Sequence, residues 1–429
     1  MSLSLEPDRS SYHVLWIAFP AFSHLKATLG MAEELLRRGH RVTYLVADRL
    51  ADVVAETGAR VVSYRSAFPE SLSPPPSTTT LMIEFVRESF APLEAALACA
   101  EVDPPDLIVH DALVSDVAVA LGRRYGVPTV RTYAGIGDNA EVRRANASAL
   151  PEPDEAVNHA DPRWTELVAE LTVRFAATGT AELFEGGLTL GDDAALNISF
   201  VTWEFQVQRE TFGADYLFAG PCLRPADFEG QWTPPEGAGP VLLVSLGTTV
   251  NRRPDFFRTC ARTFAGTPWH VVMTLGRSAD PAELGPLPPN VEAHRWVPHL
   301  AVLQHASVFV CQGGTGSLME AMYQGVPAVV VPQQADQYPT ARQVVDLGVG
   351  RSINPEELDA DTLRAAVEAI AADPDFRRRA QELSRSVHEA GGAVAVADRL
   401  EQILADRRPL ATLLPAGSAP GSSPITPVG

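Results

Sequence analysis

Between residues 296 and 337 the chain carries, in order, Trp296-Val297-Pro298, the run Gln312-Gly313-Gly314-Thr315-Gly316-Ser317, then Glu320 and Asp336-Gln337. The apolar run 308–311 reads as a buried strand and 318–322 as the opening of a helix, so the glycines occupy a strand-to-helix turn. At such a turn the first N–H groups of the helix have no intrahelical partner, the helix dipole is positive, and small residues let an anion approach. A diphosphate suits that place. Glu320, one helical turn further on, is placed to accept hydrogen bonds from ribose hydroxyls, and Trp296, at the end of a neighbouring strand, can stack on a flat base. Each piece also has a plainer use: glycine serves tight turns, Asp336-Gln337 suits a solvated helix start, and Trp296 suits ordinary core. Their occurrence together and in this order points to a nucleotide sugar.

If a hydroxyl were to attack the sugar of such a ligand, a positioned base would be needed, and His24 is the candidate. It lies in the stretch Pro20-Ala21-Phe22-Ser23-His24-Leu25, expected after the first strand and just before its helix. The plainer reading is a capping or solvent-exposed histidine. Asp111 ends the apolar run from Leu107 and so reaches the same carboxyl edge, where a carboxylate can fix the imidazole tautomer and stabilise its protonated form. His110 is the decoy, because neighbours on a strand face opposite ways. Phe22, Phe68, Phe85 and Tyr133, with Phe90 and Trp164, are candidates for an apolar acceptor wall, or else for core packing. Lys26 is expected only to snorkel at the helix start.

Short apolar runs alternating with amphipathic segments indicate parallel sheets wrapped by helices. Strands are expected at 13–19, 41–47, 106–109 and 128–133, with helices at 28–38 and 115–125. Residues 135–193, less regular and highly charged, read as helical insertions over the acceptor. The Pro- and Gly-rich segment 220–239 reads as a linker, which divides the chain into an acceptor-binding Rossmann-like domain 1–219 and a nucleotide-sugar-binding Rossmann-like domain 240–408. Residues 409–429, rich in Pro, Ser and Gly, are expected to be a disordered tail. A cleft between the carboxyl ends of two such sheets is where ligands of open α/β folds bind.

The length of 429 residues suits two domains of about 200 residues each. A formal net charge of −19 disfavours a nucleic-acid partner. Lys26 is the one lysine in a chain whose positive charge is otherwise arginine. Cys99, Cys222, Cys260 and Cys311 form no CxxC pair, and with no secretory leader evident they are expected to be reduced and buried in a cytoplasmic protein. No apolar run reaches the roughly 18–20 residues that span a bilayer. Asp359-Ala360-Asp361 and Asp373-Pro374-Asp375 spell spaced carboxylates of the kind that hold a metal, yet each precedes an amphipathic helix, where aspartate caps the first turn. No metal and no cofactor are expected.

Residues 240–351 resemble the donor domain of the GT-B glycosyltransferases that decorate small molecules, especially the macrolide and antibiotic branch of the UDP-glycosyltransferases. The resemblance rests on Val244-Ser245-Leu246-Gly247-Thr248, Trp296-Val297-Pro298, Gly313 to Ser317 with Glu320, and Pro332 to Gln337, and it extends through Gly39-His40-Arg41-Val42-Thr43-Tyr44 and Asp106 to Asp111 in the first half. It implies the GT-B fold, two Rossmann-like α/β domains around a cleft. It further implies that Trp296, Val297 and His299 meet the nucleoside, that Thr248, Gln312, Gly314, Gly316 and Ser317 meet the diphosphate, that Glu320 meets the ribose, and that Asp336 and Gln337 meet the sugar. His24 and Asp111 match the family's catalytic pair. The family usually has His where Gln312 stands and Gln where His299 stands, which leaves UDP and dTDP sugars both open; its antibiotic-type members often have a second His where Phe22 stands. The expectation is inverting, metal-independent transfer of a sugar to a hydroxyl of an apolar natural product, whether macrolide, polyketide or phenolic. The alternatives are drift to nucleotide-sugar hydrolysis or epimerisation, or a non-catalytic binding protein. Oligomeric state is not legible.

Overall fold

A computed structural model describes residues 11–69, 76–147, 157–184, 194–248, 251–276, 279–334 and 336–406; the expected tail 409–429 lies outside them. Seven parallel strands form the first sheet: β1 (His13–Ile17), β2 (Arg41–Ala47), β3 (Arg60–Tyr64), β4 (Leu107–Asp111), β5 (Thr129–Tyr133), β6 (Leu196–Ser199) and β7 (Tyr216–Phe218), in the order 3-2-1-4-5-6-7. Six more form the second: β8 (Val241–Ser245), β9 (His270–Thr274), β10 (Val291–His294), β11 (Ala306–Cys311), β12 (Ala328–Val330) and β13 (Gly350–Ser352), in the order 10-9-8-11-12-13, again all parallel. The expected pair of doubly wound α/β domains is present.

The strands read as near-continuous apolar runs because both faces of each sheet are covered by helices. In β1, Val14 and Trp16 pack toward one side, with Trp16 stacked on Tyr44 at 5.3 Å, while Leu15 and Ile17 pack toward the other with Ile108 and Phe90. In β11, Phe309 and Cys311 face one core, Val308 and Val310 the other. All four cysteines are buried and free. No helix among the described residues is long and apolar enough to cross a membrane.

In each sheet the order reverses between the first strand and its neighbour, β1 with β4 and β8 with β11. There consecutive crossovers leave in opposite directions and open a crevice at the carboxyl ends of the strands. His24 follows β1 and Asp111 ends β4; Thr248 follows β8 and the glycine run follows β11. The topology alone therefore brings the singled-out residues to two matching crevices.

Two expectations are corrected here. The helix expected from residue 28 begins earlier, as Phe22–Arg37, so His24 and Lys26 sit in its opening turns rather than ahead of it. The chain also crosses back at its end: the helix Gly392–Asp406, expected in the second domain, lies along Phe22–Arg37 and buries Val396, Ala397, Leu400 and Leu404 in the core of the first. Arg38 fixes that return through Asp398 at 2.7 Å and Glu401 at 2.8 Å. A turn with positive φ at Gly391 and Gly392 makes the crossover possible.

Candidate active site

His24 Nδ1 lies 2.7 Å from Asp111 Oδ2. The other oxygen of Asp111 accepts from the Leu113 backbone N–H at 2.9 Å, which pins a carboxylate that is 4 % exposed. With Nδ1–H donating to Asp111, the imidazole presents Nε2 as an acceptor. The Phe19 ring packs 5.6 Å from the imidazole. Burial works to lower the His24 pKa, but the Asp111 charge and hydrogen bond, with Asp336 across the cleft, outweigh it and raise it above the ordinary value. His110 faces away, is buried, and donates its Nδ1–H to the Asp111 carbonyl at 3.0 Å; burial brings its pKa down to about 4, so it stays neutral.

Across the crevice, the helix Thr315–Tyr323 starts directly from the glycine run, with Gly314 at its N-cap and no side chain capping it. Its first N–H groups are thus left for another acceptor. Gly313 adopts φ +94°, and a Cβ there would meet Val330 Cγ1 at 2.8 Å, so only glycine lets the turn close on β12. Gly316 differs: a Cβ there would meet nothing within 4 Å, so this face of the helix is open space. Ser317 is half-buried and Thr248 exposed beside the same opening. Gln312 Nε2 approaches Gly247, whereas Gln312 Oε1 is buried without a hydrogen-bond partner.

Glu320 is buried at 5 % exposure. Burial would raise its pKa, but Lys26 and His299 bring it down to about 2. Lys26 Nζ is ion-paired with Glu320 Oε1, and His299 Nδ1 stands 3.3 Å from Glu320 Oε2. Lys26 therefore spans the cleft, a correction to the expected snorkelling. Trp296 is 61 % exposed just beyond β10, an indole face left for a planar partner. A second contact between domains runs from Thr315 Oγ1, which donates to the Ala134 carbonyl at 2.9 Å.

Val297 is 3 % exposed and packs in the core beneath β11, so only its backbone is left to meet a nucleoside. Gln337 is buried and its Oε1 accepts from the Gln333 and Gln334 N–H groups at 2.7 and 3.1 Å, holding the loop and leaving Nε2 as its donor. Asp336 is exposed and makes no side-chain cap to the helix Gln337–Asp346. Phe68 is core, packed at 5.0 Å on both Phe19 and Phe85. Phe85 is partly buried on the same cluster, and Phe22 packs on the core of the opposite face. Tyr133 is half-buried beside Tyr216 and accepts from Arg131 Nη1 at 3.2 Å. Arg131 is buried, with Nε and Nη2 lacking a hydrogen-bond partner. Asp359 and Asp373 accept from the first N–H groups of the helices Ala360–Ala372 and Pro374–Glu389, the capping role expected of them.

Residues 267–403 match the family described as erythromycin biosynthesis protein CIII-like, C-terminal domain. The chain is 34 % identical over 406 residues to oleandomycin glycosyltransferase from Streptomyces antibioticus, covering 92 % of this chain and 91 % of the relative. Among solved structures it is similar to CalG4, the calicheamicin glycosyltransferase, at 37 % identity and a TM-score of 0.78 over 93 % of this chain and 100 % of that one. It is similar also to the glycotransferase of kitacinnamycin, at 33 % identity and a TM-score of 0.79 over 92 % and 99 %.

Proposed function

Since the chain belongs to the antibiotic glycosyltransferases of GT-B fold, and so is a sugar-transferring enzyme, we propose that it moves a sugar from UDP or dTDP to a hydroxyl of an apolar natural product, with inversion and without a metal. The observation that carries this reading is the His24–Asp111 pair, 2.7 Å apart at the mouth of one crevice and facing Asp336 of the other. His24 Nε2 takes the proton of the acceptor hydroxyl as the oxygen attacks the anomeric carbon. The bond from that carbon to the diphosphate oxygen breaks, and the nucleoside diphosphate leaves with the electron pair. Asp111 holds the tautomer and stabilises the imidazolium that forms. Attack opposite the leaving group inverts the anomeric centre.

On the donor side, the uncapped N–H groups after Gly314 and the dipole of Thr315–Tyr323 receive the diphosphate charge. This supports metal independence, because the negative charge is met by fixed backbone donors. Trp296 stacks on the base, Glu320 accepts from the ribose, and Asp336 with Gln337 Nε2 binds sugar hydroxyls. Phe22, Phe85 and Tyr133 border the acceptor.

The test is incubation of the full chain with UDP-glucose and with dTDP-sugars against a panel of macrolides, polyketides and phenols, with and without EDTA, reading the anomeric configuration of any product by NMR. Inverted product that survives EDTA is expected. Activity lost in EDTA and restored by magnesium or manganese contradicts metal independence, and retained configuration contradicts direct displacement. Release of nucleoside diphosphate without glycoside marks a hydrolase, and nucleotide binding without turnover marks a binding protein.

A further inference from the structure

Glu320 has both oxygens engaged by its own chain, one by Lys26 and the other approached by His299. A ribose that binds there has to take the place of at least one of them. His299 belongs to the same domain as Glu320 and is held edge-on against Phe309, ring centroids 6.2 Å apart. Lys26 comes from the other domain on a flexible stem, with its side chain 37 % exposed. It is the group free to leave. Around it stand Glu320 and Asp227, which attract the ammonium, and Arg224, which repels it. Arg224 is itself committed to Glu33 at 2.7 Å, and its backbone N–H donates to Asp227 at 2.9 Å.

The diphosphate place lies toward the start of the same helix. Glu320 lies five positions after Thr315, about 7.5 Å of helix rise. That distance is within the sweep of a four-carbon lysine stem. The glycine run offers neutral donors only, since Gln312 can donate but carries no charge. A released ammonium therefore has beside it, once a donor is bound, an anion met otherwise only by uncharged donors.

We propose that Lys26 is a donor-binding residue supplied by the first domain: its ammonium holds Glu320 while the site is empty and turns to the diphosphate when ribose hydroxyls take Glu320. The proposal rests on the donor site described above. It makes the sole lysine of the chain the cation of the phosphate subsite and couples closure of the two domains to an occupied nucleotide site.

The experiment compares binding of UDP, dTDP, uridine and thymidine to the full-length protein by calorimetry, in wild type, Lys26→Met and Lys26→Arg. Lys26→Met is expected to weaken diphosphate binding by about tenfold or more, the scale of one charge-assisted hydrogen bond. It should leave nucleoside binding unchanged or tighter, because Glu320 is no longer occupied. Lys26→Arg should recover most of the loss. A second readout uses the single ε-amine: reductive methylation with 13C-formaldehyde gives one dimethyl-lysine signal besides the α-amine, and a diphosphate should shift it further than a nucleoside does. Diphosphate binding as tight or tighter in Lys26→Met overturns the proposal and leaves Lys26 a mere lock on the empty site. Equal weakening of nucleoside and diphosphate also overturns it, by assigning Lys26 only to the shaping of Glu320. If wild type binds neither diphosphate nor nucleoside, the donor reading itself fails, an outcome distinct from both.

Discussion

Replacing Asp111 by Asn removes the charge that raises the His24 pKa while keeping a side chain of the same shape 2.7 Å from Nδ1. Hydrogen bonds to charged groups are worth about 1.5–3 kcal/mol, so a comparable loss of transition-state stabilisation lowers kcat/KM by roughly 10- to 150-fold where the base is fully deprotonated. The direction of the pH effect follows from the sign of the shift. His24 works unprotonated, so wild-type activity falls as pH drops through a pKa raised above 6.5. Without the Asp111 carboxylate that limb moves to lower pH, leaving Asp336 as the remaining carboxylate that raises the group. The penalty is therefore smaller at pH 6 than at pH 8.5. The assay is kcat/KM against pH with an aliphatic alcohol acceptor and a saturating donor, for wild type and Asp111→Asn, with Asp336→Asn as a second variant expected to move the limb less. An acidic limb that stays in place in Asp111→Asn rules out His24 as the titrating group, because the group it reports then does not feel Asp111.

On the donor side, Trp296→Ala removes a largely exposed ring and should leave the melting temperature within about 2 °C, a surface-sized effect, while raising donor KM with kcat little changed. Normal donor saturation in that variant would misplace the base. The two glycines of the loop should separate folding from binding. Gly316→Ala enters open space and should fold normally yet raise donor KM, whereas Gly313→Ala, at φ +94° against Val330, should destabilise the protein by about 1–3 kcal/mol in urea unfolding. Equal stability of the two variants would contradict the assignment of their roles. The His24–Asp111 pair should also register in stability: a raised histidine pKa contributes fully below the unfolded value near 6.5 and is lost as pH rises through the folded one. His24→Gln should accordingly lower the melting temperature more at pH 6 than at pH 9, and the reverse order would place the imidazole away from Asp111.

The parts of this site that are carried by backbone geometry were legible in the sequence. A glycine run between an apolar strand and a helix, and a carboxylate ending the strand from Leu107, follow from local periodicity, and the doubly wound order then places both at crevices. What was not legible depends on which neighbour a side chain finds. Val297 stands beside Trp296, and nothing in its type tells that it turns into the core while the indole stays outside. Gln337 looks like a free amide until Gln333 and Gln334 present their N–H groups to it. Phe68 and Phe85 carry the same side chain and both pack on Phe19, and only the depth of burial, with Phe68 buried and Phe85 partly so, separates core from border. The return of the helix Gly392–Asp406 to the first domain depends on contacts with residues far away in sequence, such as Arg38, that no local pattern encodes. Lys26 had a signal, being the sole lysine two positions after His24, but its partner lies 294 residues away.

The mechanism depends above all on His24 as the base that activates the acceptor. The most direct measurement is single-turnover transfer by His24→Ala with two acceptors of similar size, an aliphatic alcohol and an acidic phenol, each compared with wild type. The alcohol should lose roughly 10²- to 10⁴-fold in rate, the range for removal of a positioned general base, while the phenol, already partly ionised at the assay pH, should lose much less. Adding Asp111→Ala to His24→Ala should cost little more, since the two act as one unit. Wild-type turnover of the alcohol by His24→Ala would contradict the mechanism.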